Sequence, residues 1–281
     1  MKTKLSFIVG AFLASTLLLS AQDITQNPEK YTAHNKGKFF ISWGGNRESY
    51  SKSDIHFKGN DYNFTLHDVK AQDKPKGWHI DYINPARMTI PQTNLNIGYF
   101  ISDHYSISVG VDHMKYVMGQ NQVVNYKGNY PNPGSYGELL PNNQILLTED
   151  FLTFEHTDGL NYVFTEFARV DDISKLFQIS DTDKIQINIS EGLGAGILFP
   201  KTNTQLLSRK RHDDFHVSGY GVSAKVGLNV TFFKHFFIKG ELKAGYINMP
   251  NIRTTQSSSD SASQDFTFFQ RIIAVGGIFR V

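Results

Sequence analysis

Residues 217–231 read VSGYGVSAKVGLNVT. In them Tyr220, Val222, Ala224, Val226, Leu228 and Val230 alternate with Gly219, Gly221, Ser223, Lys225, Gly227 and Asn229. A helix repeats its faces every 3.6 residues and a strand every two, so this stretch is a strand with one oily face and one wet face. The pattern recurs on both sides of it. Ile185, Ile187, Ile189, Leu193, Ala195 and Ile197 oppose Gln186, Asn188, Ser190, Gly192, Gly194 and Gly196. Ile238, Leu242, Ala244 and Tyr246 oppose Lys239, Glu241, Lys243 and Gly245. Further towards the start, Tyr105, Ile107, Val109 and Val111 oppose Ser106, Ser108, Gly110 and Asp112. Leu95, Ile97, Tyr99 and Ile101 oppose Asn94, Asn96 and Gly98, and Phe39, Ile41 and Trp43 oppose Lys38, Ser42 and Gly44. Residues 160–171 and 266–281 read as strands of less clear parity, which makes eight.

A soluble β-sandwich also alternates. Three features favour a membrane barrel instead. The polar faces are rich in small residues yet carry isolated charges, Glu166, Lys225, Lys239, Glu241 and Lys243, suited to pairing across a narrow lumen. Aromatic residues gather at strand ends, in Tyr99-Phe100, Phe232-Phe233, Phe236-Phe237 and Phe266 with Phe268-Phe269, as interfacial girdles require. Connection lengths also alternate. With strands at 37–47, 93–101, 104–118, 160–171, 184–199, 215–231, 236–248 and 266–281, the long connections 48–91, 119–159, 200–214 and 249–264 fall at one end and the short turns at the other. The expected fold is all-β: a transmembrane antiparallel up-and-down β-barrel of eight strands, with long extracellular loops and short periplasmic turns. Ten strands is the alternative, if residues 48–91 add two. Within that connection Ile55, Phe57, Tyr62, Phe64 and Leu66 predict strand extensions above the membrane.

Lys2 and Lys4 precede an apolar run over residues 5–19 that ends at the small residues Ser20 and Ala21. The run is shorter than the roughly 20 residues that cross a bilayer, so residues 1–21 are expected to be a signal peptide. Residues 22–36 are then a periplasmic N-terminal segment and residues 37–281 the barrel. After the signal no stretch of 18 apolar residues occurs, which excludes a helical membrane protein. Removing two lysines and no acid leaves 26 basic against 26 acidic residues. Without a charge excess there is no footprint for nucleic acid. The absence of cysteine excludes disulfides, thiolate metal sites and a cysteine lipid anchor. The expected partners are outer-membrane lipid and lipopolysaccharide, the barrel-assembly machinery during biogenesis, and an external ligand that the sequence does not specify.

Residues 51–73 (SKSDIHFKGNDYNFTLHDVKAQD), 89–118 (TIPQTNLNIGYFISDHYSISVGVDHMKYVM) and 154–163 (FEHTDGLNYV) resemble a family of outer-membrane β-barrel proteins of Bacteroidetes-type bacteria. The terminal strand, with Phe279 near its end, resembles the C-terminal signal of such barrels. The resemblance implies the barrel fold and the outer-membrane location. Such families carry no settled activity, so it implies nothing about mechanism.

Two segments that this topology makes neighbours at the outer rim are Asp112-His113-Met114-Lys115 and Glu155-His156-Thr157-Asp158. Asp112, His113, Lys115, Glu155, His156 and Asp158 together suit a divalent cation, or the phosphate of a surface lipid. The plainer reading is a polar rim whose charges pair with one another. His216 and Ser218 share one strand face and resemble the His-x-Ser of barrel lipid A deacylases, with Glu241 as the nearest candidate acid. A His-x-Ser tripeptide is also common by chance. Residues 121–143 combine Tyr126, Tyr130 and Tyr136 with Pro131, Pro133, Gly134 and Gly137, a composition suited equally to a recognition loop and to a loop that packs on itself. No cofactor motif is present. The leading expectation is a non-enzymatic barrel with a structural or surface-binding role through its outer loops. The alternatives are a lipid-modifying hydrolase or acyltransferase, and a small-solute channel.

Overall fold

The computed structural model describes residues 34–77, 79–83, 91–212 and 214–280. The signal peptide expected at residues 1–21, and residues 22–33 of the segment after it, lie outside the described residues. In chain order the strands are β1 (Lys38–Tyr50), β2 (Ser53–Lys58), β3 (Asn63–Val69), β4 (Ala71–Gln72), β5 (Thr93–Phe100), β6 (Tyr105–Met118), β7 (Val123–Asn129) and β8 (Glu138–Leu140). They continue with β9 (Gln144–Leu146), β10 (Leu152–Asp172), β11 (Ile185–Leu198), β12 (Asn203–Leu206), β13 (Gly219–Phe232), β14 (Phe236–Arg253) and β15 (Ser261–Arg280).

Eight of these strands form a closed antiparallel ring in the order β1-β5-β6-β10-β11-β13-β14-β15, with β15 returning to β1. The first and last ring strands pair along the whole of β1, from Lys38 opposite Arg280 to Tyr50 opposite Phe268. Closure leaves the ring without a free edge. At one end the connections are 101–104, 173–184 and 233–235; at the other they are 51–92, 119–151, 199–218 and 254–260. Three of the four connections at the second end are long, as expected, but the fourth, 254–260, is shorter than the 173–184 connection at the first end. Residues 249–264 are mostly strand, because β14 reaches Arg253 and β15 begins at Ser261. β10 likewise starts at Leu152 rather than at residue 160.

Those extra lengths form a second storey. β2 pairs with the far end of β15, and β3, β7, β9 and β8 follow outward from it. The 48–91 connection thus contributes strands above the ring and none to it, so the ring keeps eight strands rather than ten.

The faces of the ring are inverted relative to a soluble domain. Val109 is 57% exposed, Leu193 62% and Ile273 68%, and Ile97, Val222, Leu228 and Ile238 face outward with them. The facing positions Ser42, Asn96, Ser108, Glu166, Ser223, Lys225 and Glu241 are buried. In the second storey the polarity returns to the ordinary sense. Met114, Tyr116 and Met118 continue the inward parity of β6, as Ile247 and Met249 do on β14, and join Ile55, Phe57, Phe64, Phe154 and Leu206 in one apolar core. The expected aromatic girdle is accordingly split. Phe233 and Phe236 are exposed at the turn end, while Phe100, Phe237, Phe266 and Phe268 point inward and are buried.

The narrow interior explains several glycines. A Cβ on Gly110 would lie 2.5 Å from Phe164, and one on Gly245 2.4 Å from Phe268. Each aromatic ring lies across the glycine of the neighbouring strand, which fills the lumen of an eight-stranded ring with side chains.

Candidate functional site

Inward parity places the charges of the ring in its buried interior, in two groups. Lys225 Nζ lies 2.7 Å from Glu166 Oε1 and 2.6 Å from Glu241 Oε1, and Lys239 Nζ lies 2.8 Å from Glu241 Oε2. Above them Lys243 Nζ lies 2.6 Å from Asp112 Oδ2 and 4.0 Å from the centre of the Phe164 ring. The expected charge ladder is thus formed, and Asp112 belongs to it. A small polar cavity between Ser42, Asn96, Glu166 and Lys239 is enclosed by the same side chains.

Towards the upper end of β1, Glu48 is buried with a second carboxylate beside it. Gln92 donates to both Glu48 and Asp73, the Glu48 backbone N–H donates to Asp73 Oδ2 at 3.0 Å, and Gln270 Nε2 donates to Glu48 Oε1 at 2.9 Å. These contacts tie the 51–92 connection to the ring.

Higher still, a polar island sits among aromatic rings. Gln264 Nε2 donates to the Tyr116 hydroxyl at 2.6 Å and to Ser53 Oγ at 2.9 Å. His156 is fully buried, shares a 2.8 Å hydrogen bond between Nδ1 and Thr202 Oγ1, and packs against Tyr116 and Phe154. Burial pushes the imidazole down to about 4, so it is neutral at neutral pH.

The six rim residues are not brought to one place. Adjacent residues of a strand face opposite ways, so Asp112 points into the ring and His113 points outward, its Nδ1 2.7 Å from Asn161 Oδ1. Glu155 and His156 divide in the same way. Glu155 accepts from Asn203 at 2.7 Å and lies 3.4 Å from Lys74 on the outside, whereas His156 is in the core. Lys115 is half-buried on the outer side, and Asp158 lies 3.7 Å from Lys201. Among the described residues no three imidazoles or carboxylates are grouped closely enough to hold a metal ion.

His216, Ser218 and Glu241 are also apart. The Ser218 hydroxyl donates to the backbone carbonyl of His216 at 3.3 Å, not to its imidazole. Glu241 is opposite Gly227, nine residues further along β13, which is about 30 Å down the strand, and its two oxygens are held by lysines. Of the loop tyrosines, Tyr130 is buried against Phe64, Phe151 and Tyr126, so the self-packing reading describes it.

Arg47 and Arg271 are not among the candidate residues that the sequence pattern singles out. They stand opposite each other in the β1–β15 register, both on the outward parity. The available signal was an arginine on each strand at a position where an apolar residue is expected.

No protein-family model matches the chain, and no curated protein matches it. Among solved structures, the outer membrane protein OprG from Pseudomonas aeruginosa is 12% identical with a TM-score of 0.38, over 89% of this chain and 99% of its own. The outer membrane protein AlkL, solved in lipid bilayers, is 10% identical with a TM-score of 0.38, over 92% of this chain and 98% of its own. Neisserial surface protein A is 10% identical with a TM-score of 0.33, over 86% of this chain and 99% of its own. Likenesses this distant carry no functional information.

Proposed function

We propose that this chain is an integral outer-membrane β-barrel, exported by the signal peptide of residues 1–21, whose eight-stranded ring spans the bilayer with its long connections outside. Its role is structural or surface-binding. The second storey is a rigid platform held above the membrane, and the ring beneath is an anchor, neither a pore nor an enzyme.

One observation carries this reading: the ring is apolar outside and charged inside, while the same strands reverse that sense as they continue into the second storey. Water favours the second arrangement and hydrocarbon the first. The resemblance to barrels of Bacteroidetes-type bacteria supports the same location. The separation of His216, Ser218 and Glu241 weighs against a hydrolase. Against a channel stands the direct contact of Lys243 with Asp112 across the interior.

The test is reconstitution. Purified protein folded into detergent is expected to migrate as a compact species on unheated gels and as the full-length chain after boiling. In planar bilayers it is expected to give no discrete conductance steps. A single gel species would count against a closed barrel, and reproducible steps would count against an occluded one.

A further inference from the structure

The outward face of β15 runs Phe279, Gly277, Val275, Ile273, Arg271, Phe269. From Phe279 to Phe269 is about 33 Å along the strand, or about 25 Å of height at a barrel tilt, close to the apolar height of an outer-membrane barrel. Arg271 is exposed and lies two residues from the top of that band. Arg47 is directly opposite it on β1, with Trp43 and Ile41 beneath.

Two like charges directly opposed on paired strands repel one another, the more so beside hydrocarbon. Among the described residues neither guanidinium has a carboxylate within ion-pair distance. Arg47 is nevertheless held in place. Its Nη1 donates to the Tyr82 hydroxyl at 3.1 Å and to the Asn46 carbonyl at 2.5 Å. Tyr82 is in turn fixed by the Trp43 indole, whose N–H donates to the Tyr82 carbonyl at 2.7 Å. A pre-oriented arginine beside a free one makes two planar forks side by side, a geometry that matches phosphate oxygens. From there a long arginine side chain reaches up to the lipid phosphates, and below lie Ile273 and Val275, both more than half exposed.

We propose that Arg47 and Arg271 form a binding site for the phosphate of one anionic membrane lipid, whose acyl chains lie along Ile273 and Val275. This rests on the membrane-spanning reading above. The lipid supplies the negative charge that the strand pair lacks and so stabilises the β1–β15 seam that closes the ring.

The experiment is native mass spectrometry of the protein released from nanodiscs of phosphatidylcholine containing a minor fraction of phosphatidylglycerol. Wild type is expected to retain one phosphatidylglycerol. Arg271→Gln is expected to lower the retained fraction about tenfold, as loss of one charged hydrogen-bonding partner does, and Arg47→Gln with Arg271→Gln to abolish it. Lys58→Gln, the same charge change on β2, is expected to leave it unchanged, and excess inorganic phosphate is expected not to displace the lipid. Equal retention by the double variant, or displacement by inorganic phosphate, overturns the proposal while leaving the membrane-spanning reading intact. Failure of the wild type to enter nanodiscs overturns both.

Discussion

Lys243 reaches Asp112 across the whole interior of the ring, Nζ to Oδ2 at 2.6 Å. Their strands, β14 and β6, stand four places apart in either direction around the ring of eight, so the pair joins opposite walls. Both side chains are buried, at 3% and 2% exposure, and the Phe164 ring lies against the ammonium. At this level the ring is filled by its own side chains.

Breaking that pair leaves a buried charge. Lys243→Met leaves Asp112, among the described residues, with Asn94 as its one hydrogen-bond partner and is expected to cost about 3–5 kcal/mol, whereas Lys243→Met combined with Asp112→Asn removes both charges and is expected to recover most of the loss. Urea unfolding midpoints of the three proteins in the same detergent check this. If the single variant matched wild type, Asp112 would not be committed to Lys243.

The second storey has a core of its own. Phe154 is buried against Phe57 and His156, 5.6 and 5.0 Å between ring centres. Phe154→Ala is expected to cost about 3–5 kcal/mol there. The loss is local, because the ring below is held by its own pairing and charges. Limited proteolysis is expected to cut the variant first within residues 51–72 or 119–151, with the ring protected. Equal protection of variant and wild type would show that Phe154 does not hold the storey together.

His156 gives the storey a pH dependence. In the folded protein its imidazole is held down to about 4, whereas in the unfolded chain it takes up a proton near 6.5. As pH falls through that window the unfolded state binds the proton first, so stability is lost on acidification, about 2 kcal/mol by pH 5. The comparison is with His156→Gln, which isolates this one group. The stability of wild type relative to this variant is expected to fall between neutral pH and pH 5. A constant difference would contradict a buried neutral histidine.

Much of this was legible from period alone. Residues 217–231 gave both faces of β13, and the isolated charges Glu166, Lys225, Lys239, Glu241 and Lys243 lay on the wet parity and meet inside the ring. Asp112 lay on that parity too, but the strand continues beyond it into Met114, Tyr116 and Met118, where the inward face turns apolar. The strand is legible to residue 118, but period alone does not show at which level its inward face changes polarity, so Asp112 reads as part of an outer rim and not of the interior. The rim constellation also combined Asp112 with His113 and Glu155 with His156, although neighbours on one strand face opposite ways. The Arg47–Arg271 pair depends on the β1–β15 register, which closes the ring from its two ends and has no local signature.

The central claim is that the ring spans a membrane with the long connections outside. The chain has no cysteine, so single cysteines report without background. The decisive measurement is labelling of intact cells with a membrane-impermeant maleimide, at Ser258 in the 254–260 connection, at Asp183 in the opposite turn, and at Val222 and Val226 on the outward face of β13. Ser258→Cys is expected to label in intact cells, Asp183→Cys only after lysis, and Val222→Cys and Val226→Cys only after denaturation. Labelling of Val222→Cys and Val226→Cys in intact membranes, or of Asp183→Cys from outside, would contradict the account.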